Sequence, residues 1–89
     1  MDHAKTALIT GASSGLGEAY ARLHASFGGN LILVARREER LLALKAELEQ
    51  AHHVTVHVLA KDLAEPDAPA SLFAEVERLG LPVDYLINN

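Results

Sequence analysis

The sequence contains no cysteine, so neither a disulfide framework nor a thiolate metal site can form. This absence fits a reducing compartment, and the expected location is the cytoplasm. No apolar run approaches the roughly 20 residues that a membrane span needs. The N-terminal stretch Met1–Lys5 also lacks the basic and apolar regions of a signal peptide. Together these absences predict an untargeted, soluble protein without membrane association.

Positive charge is scarce as well, because 8 Lys and Arg residues stand against 12 Asp and Glu residues, giving a net charge of -4. This balance gives no support for a nucleic-acid or anionic-membrane surface, so no nucleic-acid partner is expected. The length of 89 residues suits one small domain, and the hydrophobic content of 49% supports a packed core.

Only 6 glycines are present, yet three of them fall in the segment Thr10–Gly17, which reads TGASSGLG. This segment follows the apolar run Ala7–Ile9 directly and opens a helix-periodic stretch. In that context a glycine-rich turn cradles the pyrophosphate of a dinucleotide, because the free N–H groups and the positive dipole end of the helix favour an anion. The alternative is a Gly/Ser-rich turn that binds nothing.

Each residue of the turn has an expected task. Gly11 allows the backbone to reverse after the strand, and Gly15 allows the phosphates to approach without an obstructing Cβ atom. Gly17 allows the helix to pack closely against the sheet. Ser13 and Ser14 place hydroxyl donors at the same rim.

Apolar periodicity predicts the element order β-α-β-α-β-α-β. The predicted strands span residues 6–10, 31–34, 54–58 and 83–87, and the predicted helices begin near Gly15, Glu38 and Pro69. The apolar stripes assigned to the three helices are Leu16, Tyr20, Leu23 and Phe27, then Leu41, Leu44 and Leu48, then Leu72, Phe73, Val76 and Leu79. Lys45, Glu47 and Glu49 are interpreted as the solvated side of the second helix, and Gly80 as the C-cap of the third.

Right-handed crossovers and a phosphate-binding turn after the first strand favour an α/β fold of the Rossmann type, a doubly wound parallel sheet with strand order 3-2-1-4. Such a sheet normally continues past its fourth strand, which would otherwise remain as an apolar edge. Residues 1–89 are therefore interpreted as the N-terminal part of a single NAD(P)-binding domain, truncated after the fourth strand.

The end of the second strand predicts the choice of cofactor. Dinucleotide folds often place Asp or Glu there to bind the ribose 2′-hydroxyl of NAD, whereas this chain has Ala35 followed by Arg36 and Arg37. A guanidinium can meet a 2′-phosphate with paired hydrogen bonds, so NADP(H) is preferred over NAD(H), with Arg36 the favoured ligand. The alternative is that both arginines are ordinary solvated charges at a helix start.

Two further positions follow predicted strands. Asp62 could accept a hydrogen bond from a purine amine, or equally serve as a loop or capping residue, and Lys61 is interpreted as its solvated neighbour. Asn88 and Asn89 can tie a strand end to its neighbour or to a ribose, although an Asn pair alone mostly indicates a turn.

His52, His53 and His57 are close in sequence, but their expected directions diverge, so no metal site is predicted.

Thr10–Gly17, the pair Asp62-Leu63 and the pair Asn88-Asn89 together resemble the short-chain dehydrogenase/reductase family over essentially the whole chain. The resemblance implies that the turn binds the cofactor phosphates, that the Asp-Leu pair contacts adenine and that the Asn pair stabilises the sheet beside the cofactor. The cofactor-binding residues carried over are Gly11, Ser13, Gly15, Leu16, Gly17, Asp62, Leu63 and Asn88. A basic residue at Arg36 again implies NADP(H).

The resemblance further implies hydride transfer between a nicotinamide and a small-molecule alcohol or carbonyl substrate, and a homo-oligomer as the full protein. The family's catalytic Ser and Tyr-x-x-x-Lys have no counterpart in these residues, because Tyr20 is followed four residues later by His24 and Tyr85 by Asn89. No catalytic residue is therefore assigned here. The segment is expected to supply cofactor binding only.

Two alternatives remain open at the level of sequence. One is a non-catalytic NADP(H)-binding sensor or scaffold, since a fold does not dictate a function. The other is an autonomous protein of this length that binds a mononucleotide or phosphate and dimerises through its exposed fourth strand.

Overall fold

The computed structural model describes residues 4–89, in which strands and helices alternate. The strands are β1 (Thr6–Thr10), β2 (Asn30–Ala35), β3 (Val56–Ala60) and β4 (Tyr85–Asn88), and the helices are α1 (Gly15–Ser26), α2 (Glu38–His52) and α3 (Ala68–Leu79). The strands form one parallel sheet in the order β3-β2-β1-β4. This confirms the predicted doubly wound α/β topology. Residues 1–3, on which part of the prediction about targeting rests, lie outside the described range.

The two central strands are buried on both faces, as their continuous apolar sequences require. Alternate side chains of a strand point to opposite faces, so Ile9 and Leu33 pack in the cluster that contains α1 and α2 residues, whereas Leu8 and Ile32 pack in the cluster beside α3. Two helices therefore cover one face of the sheet and one helix covers the other.

The buried face of α1 differs from the predicted one. The predicted stripe is solvent-exposed, with Phe27 82% and Leu16 58% accessible, and the same holds for Tyr20 and Leu23. The residues that α1 buries are Gly17, Ala21 and Ala25. Small side chains allow the helix axis to come close to the sheet, and the larger stripe is consequently left on the outside.

The outer strands begin later than predicted, β3 at Val56 instead of Val54 and β4 at Tyr85 instead of Val83. The first paired residues are Val56, opposite Leu31 of β2, and Tyr85, opposite Ala7 of β1. In this register the predicted first residues, two positions earlier, would lie opposite residues that precede β2 and β1. Just before each of these strands, a side chain takes the place of a backbone partner. Asn30 Oδ1 accepts a hydrogen bond from the Thr55 N–H (2.9 Å), and an Asp84 carboxylate oxygen accepts one from the Thr6 N–H (2.8 Å).

The predicted faces of α2 and α3 are confirmed in part. Leu41, Leu44 and Leu48 are buried. On α3, Leu72, Val76 and Leu79 pack against the cluster that contains Leu8 and Ile32. Phe73 is 66% exposed and does not belong to the buried face. Gly80 is the C-cap of α3, as predicted.

Lys45 and Glu49 were predicted to be solvated side chains without structural contacts, and this is wrong. Lys45 Nζ donates to the Val56 carbonyl (2.7 Å) and pairs with Glu49 Oε2 (3.1 Å), which in turn accepts a hydrogen bond from the Val56 N–H (2.9 Å). The pair therefore ties the middle of α2 to the first residue of β3. Glu47 does lie on the outside, where it pairs with Arg22 of α1.

Within residues 4–89, no helix combines the length and the apolar character that a membrane span requires. The fourth strand lies at the edge of the sheet, where Leu86 is 68% and Tyr85 50% exposed. This confirms the predicted apolar edge.

The contacts of Glu49 predict an acid-sensitive contribution to stability. The Val56 N–H and then Lys45 hold the pKa of this carboxyl below its ordinary value of 4.5. Its stabilising effect is therefore complete above that value and is lost as pH falls through the lower folded-state pKa. We expect Glu49→Gln to cost about 1 kcal/mol at neutral pH and less under acidic conditions. Urea unfolding of both proteins between about pH 7 and about pH 3 measures this.

The matched control for Glu49→Gln is Glu77→Gln on α3, since Glu77 is exposed and forms no salt bridge within residues 4–89. An equal loss of stability in the two variants, or a loss independent of pH, would contradict the assignment of this role to Glu49.

Candidate functional site

An open groove of about 390 Å³ runs along the carboxyl ends of the strands, where doubly wound sheets bind their ligands. Several elements contribute to it, including the β1–α1 turn, the end of β2 and the loop after β3. Among the predicted site residues, those that line it are Gly11, Ser13, Ser14, Arg36, Asp62, Leu63 and Asn88. Gly15, Leu16 and Gly17 form the adjacent first turn of α1. The fold thus gathers residues from both ends of the sequence at one edge of the sheet.

Gly11 begins the reversal of the chain after β1. Its φ of 63° lies in the left-handed region that residues with a Cβ rarely adopt. The turn is closed by a hydrogen bond from the Ser14 N–H to the Gly11 carbonyl (3.1 Å), and the N–H of buried Ala12 donates to the Val34 carbonyl (3.1 Å). The expected role of Gly11 in the backbone reversal matches this conformation.

Ser14 is the N-cap of α1, a role that the sequence interpretation missed. Its hydroxyl donates to the Gly11 carbonyl (2.9 Å) and accepts from the Gly17 N–H (3.4 Å). A hydroxyl has one proton to donate, so the Ser14 proton is already committed within the turn. Ser13 makes no such contact within the described residues and remains the hydroxyl of the pair that can reach a ligand.

The first turn of α1 offers unused backbone donors. The Glu18 N–H donates to the Ser14 carbonyl (2.8 Å) and Gly17 is capped, whereas the N–H groups of Gly15 and Leu16 make no hydrogen bond within residues 4–89. A Cβ atom added at Gly15 would meet nothing within 4 Å on the protein side. Helix N-termini with such free donors favour anions.

Gly17 is the point of closest approach between α1 and the turn. A Cβ atom there would overlap the Gly11 carbonyl oxygen and would lie 3.0 Å from Ala12 Cα and from Asn89 Nδ2. The neighbours are mostly backbone, which cannot rotate away. Close packing of α1 at Gly17 therefore holds as predicted, although the partner is the turn itself as well as the sheet.

The two asparagines after β4 fasten the turn from the other side. Asn88 Oδ1 accepts from the Thr10 hydroxyl (2.9 Å), whose oxygen accepts from the Asn89 N–H (3.1 Å). Asn89 Nδ2 donates to the Gly11 carbonyl (3.1 Å) and to Ser14 Oγ (2.5 Å). Asn88 and Asn89 therefore tie the end of β4 to its neighbour, as their sequence position suggested. The part of Thr10 in this tie was not predicted, because its only sequence signal is its place at the end of a strand that becomes the neighbour of β4.

Arg36 lies at the mouth of the groove, directly after Ala35 ends β2. It is exposed and forms no salt bridge within the described part of the chain. Arg37 is the N-cap residue of α2, makes no side-chain capping bond and does not line the groove. The two adjacent arginines therefore occupy different positions relative to the site.

The loop after β3 forms the facing wall. Asp62 Oδ1 accepts a hydrogen bond from the Ala64 N–H (3.0 Å), which shapes the loop and leaves Oδ2 without a partner in residues 4–89. Leu63 lines the groove and also packs beside the buried Ile32 and Val34. Lys61 was interpreted as a solvated neighbour, and this is wrong: its Nζ donates to Ser71 Oγ (2.6 Å) and pairs with Glu75 Oε2 (3.1 Å).

The histidines do not converge. His52 is the last residue of α2, and His53 caps it in a left-handed conformation, whereas His57 lies in β3. In the chain from residue 4 onward, no group of three or more His, Cys, Asp or Glu side chains is arranged to hold a metal ion.

A glycine-rich turn, a helix N-terminus with free donors and a groove at the carboxyl edge of a 3-2-1-4 parallel sheet define a Rossmann-like nucleotide-binding fold. The sequence matches the family model described as short chain dehydrogenase over residues 5–89. The chain belongs to the short chain dehydrogenase family, which confirms the resemblance deduced from its motifs.

Individual relatives agree with this assignment. The very-long-chain 3-oxoacyl-CoA reductase of Kluyveromyces lactis is 41% identical over 83 residues, covering 93% of this chain and 24% of the relative. The crystal structure of a bulky-bulky ketone specific alcohol dehydrogenase from Comamonas testosteroni matches with a TM-score of 0.89 and 39% identity, covering 99% of this chain and 35% of that one. L-Sorbose reductase from Gluconobacter frateurii, solved with NADPH and L-sorbose, matches with a TM-score of 0.89 and 36% identity. The match covers 97% of this chain and 33% of the reductase. The chain spans about a quarter of the length of the K. lactis relative.

The contact at Gly17 predicts a large difference between two glycines of the same turn. We expect Gly17→Ala to lower the free energy of unfolding by about 1 to 3 kcal/mol, because the added methyl group overpacks the turn. Gly15→Ala has open space on the protein side and gains helix propensity, so its stability should be unchanged or higher by up to about 1 kcal/mol. Urea unfolding monitored by circular dichroism measures both. Equal stability of the two variants would contradict the tight contact.

Proposed function

We propose that residues 1–89 provide the cofactor-binding part of an NADP(H)-dependent oxidoreductase that transfers hydride between the nicotinamide and an alcohol or carbonyl substrate. The observation that carries the proposal is the groove itself, which brings the Gly11–Ser13 turn, Arg36 and the Asp62-Leu63 wall together at the carboxyl edge of the sheet. The relatives named above are reductases and a dehydrogenase, and one of them was solved with NADPH.

The pyrophosphate fits the first turn of α1. The free N–H groups of Gly15 and Leu16 and the hydroxyl of Ser13 supply hydrogen-bond donors, and the positive end of the helix dipole favours the charge. The open space above Gly15 leaves room for phosphate oxygens. Leu16 contributes its backbone rather than its side chain, which is exposed and does not line the groove.

The 2′-phosphate fits beside Arg36. Among the groove-lining cations, Lys61 is already paired with Glu75, so Arg36 offers the charge that no carboxylate within residues 4–89 neutralises. Ala35 presents no carboxylate to repel the phosphate, and a guanidinium can donate two parallel hydrogen bonds to it. This arrangement supports NADP(H) in preference to NAD(H).

The adenine fits against the loop after β3. Leu63 offers an apolar surface, and the unpartnered Asp62 Oδ2 can accept a hydrogen bond from the exocyclic amine. Asn88 and Asn89 act at one remove, because they hold the turn against β4.

When bound, the nicotinamide supplies or accepts the hydride. The residues of this chain bind and orient the cofactor, and groups in a further part of the protein complete the site that holds the substrate. The coverage of the relatives, together with the exposed Leu86 and Phe73 on the β4 side of the sheet, supports residues 1–89 as the N-terminal part of a single larger domain. A cytoplasmic location, on the ground of the cysteine-free composition, and a homo-oligomeric assembly complete the proposal.

The sharpest test is the titration of NADPH and NADH into the full-length protein and into its Arg36→Ala variant at fixed ionic strength, followed by cofactor fluorescence. The wild type should prefer NADPH. Loss of the charge-assisted hydrogen bonds should raise the Kd for NADPH by about 10- to 100-fold and leave that for NADH nearly unchanged.

The matched control is Arg40→Ala, because Arg40 is an exposed cation of α2 that does not line the groove. It should preserve the preference for NADPH. Binding of neither cofactor by the wild type would refute the proposed function, and equal binding of both would refute the preference.

A further inference from the structure

Lys61 is fixed to two elements, β2 and α3, at the point where the chain leaves β3. Its N–H donates to the Ala35 carbonyl (2.9 Å), so its backbone is held at the end of β2 beside Arg36. Its side chain points to α3, where Nζ contacts Ser71 Oγ at 2.6 Å and Glu75 Oε2 at 3.1 Å.

The ion pair with Glu75 is more sheltered than a typical surface pair. The Lys61 side chain is 20% exposed and that of Glu75 33%. Ser71 and Glu75 are four residues apart on α3, so they lie on one face of the helix and receive the ammonium group together. The charge of Lys61 is thus directed to α3 although the residue lines the groove.

The next residues along the chain are the wall of the groove. Asp62 and Leu63 follow Lys61 directly, and the short loop has one internal side-chain tether, the bond between Asp62 Oδ1 and the Ala64 N–H. Leu63 is also held by its packing beside Ile32 and Val34, and Lys61 holds the start of this wall at the end of β2, beside Arg36.

We propose that Lys61 is a positioning residue of the cofactor groove: its pair with Glu75 and its bond to Ser71 anchor the Asp62-Leu63 wall to α3 at the distance from Arg36 that an adenine nucleotide requires. This inference rests on the proposed function. It assigns to α3 a role in cofactor affinity, although Ser71 and Glu75 do not line the groove.

The competing role for Lys61 is direct binding of the 2′-phosphate. The two roles differ in which cofactor they affect, because the adenine is common to NADPH and NADH whereas the 2′-phosphate belongs to NADPH alone. The two roles also differ in what removal of the Glu75 charge should do. If Lys61 binds the 2′-phosphate, this change releases Lys61 toward the phosphate. If Lys61 is a positioning residue, the same change weakens the anchor of the wall and therefore weakens binding.

The experiment measures the Kd of NADPH and of NADH for the full-length protein and its Lys61→Met, Lys61→Arg and Glu75→Gln variants. We expect Lys61→Met and Glu75→Gln to weaken both cofactors by the same factor, about three- to tenfold, without changing their ratio. Lys61→Arg, which keeps the charge and the donors, should restore most of the affinity. Circular dichroism at the titration temperature establishes that each variant is folded, and Glu75→Gln serves if Lys61→Met does not fold.

Lys45→Met is the matched control, because Lys45 forms the corresponding lysine–glutamate tie at the other end of β3, away from the groove. It should lower stability and leave both Kd values unchanged. Weakening of NADPH alone, unchanged affinity in Lys61→Met, or full affinity in Glu75→Gln would each overturn the positioning role. Failure of the wild type to bind either cofactor would instead show that the proposed function is wrong.

Discussion

The absence of a side chain at Gly17 is the constraint on which the nucleotide site depends. It allows α1 to begin in contact with the backbone of Gly11 and Ala12, and this contact brings the first-turn N–H groups to the edge of the groove. The asparagines after β4 complete the same arrangement, because Asn89 bridges the Gly11 carbonyl and the Ser14 hydroxyl. The turn is consequently held from the helix side and from the strand side at once.

This dual support has a thermodynamic meaning for ligand binding. A loop that orders only when its ligand arrives loses affinity to the entropy of ordering, whereas a turn fixed by its own hydrogen bonds has already met that cost during folding. The Ser14 hydroxyl is an example, because its hydrogen bonds hold the turn in place. The donors that can contact an anion are therefore the backbone N–H groups and the Ser13 hydroxyl.

Much of the fold was predictable because its signals are local. The element order follows from apolar periodicity, and the turn from glycine spacing within eight residues. The buried face of α1 was not predictable in the same way, since Ala21 and Ala25 carry little hydrophobic signal beside Leu16 and Phe27. The sheet selects the small residues because they allow close approach. The role of Lys61 was misjudged because its partner Ser71 is 10 residues away and becomes a neighbour only through the fold. For the same reason the tie made by Asn89 was predictable but its partner Gly11, 78 residues away, was not.

The tie between α2 and β3 also bears on self-association. β3 is the outer strand on its side of the sheet, and the unpaired backbone groups of such a strand are a template for pairing with another chain. At Val56 the N–H is taken by Glu49 and the carbonyl by Lys45. Two charged side chains therefore occupy the hydrogen-bonding groups of the first residue of this edge strand. An incoming strand cannot pair with them there, which disfavours edge-to-edge aggregation.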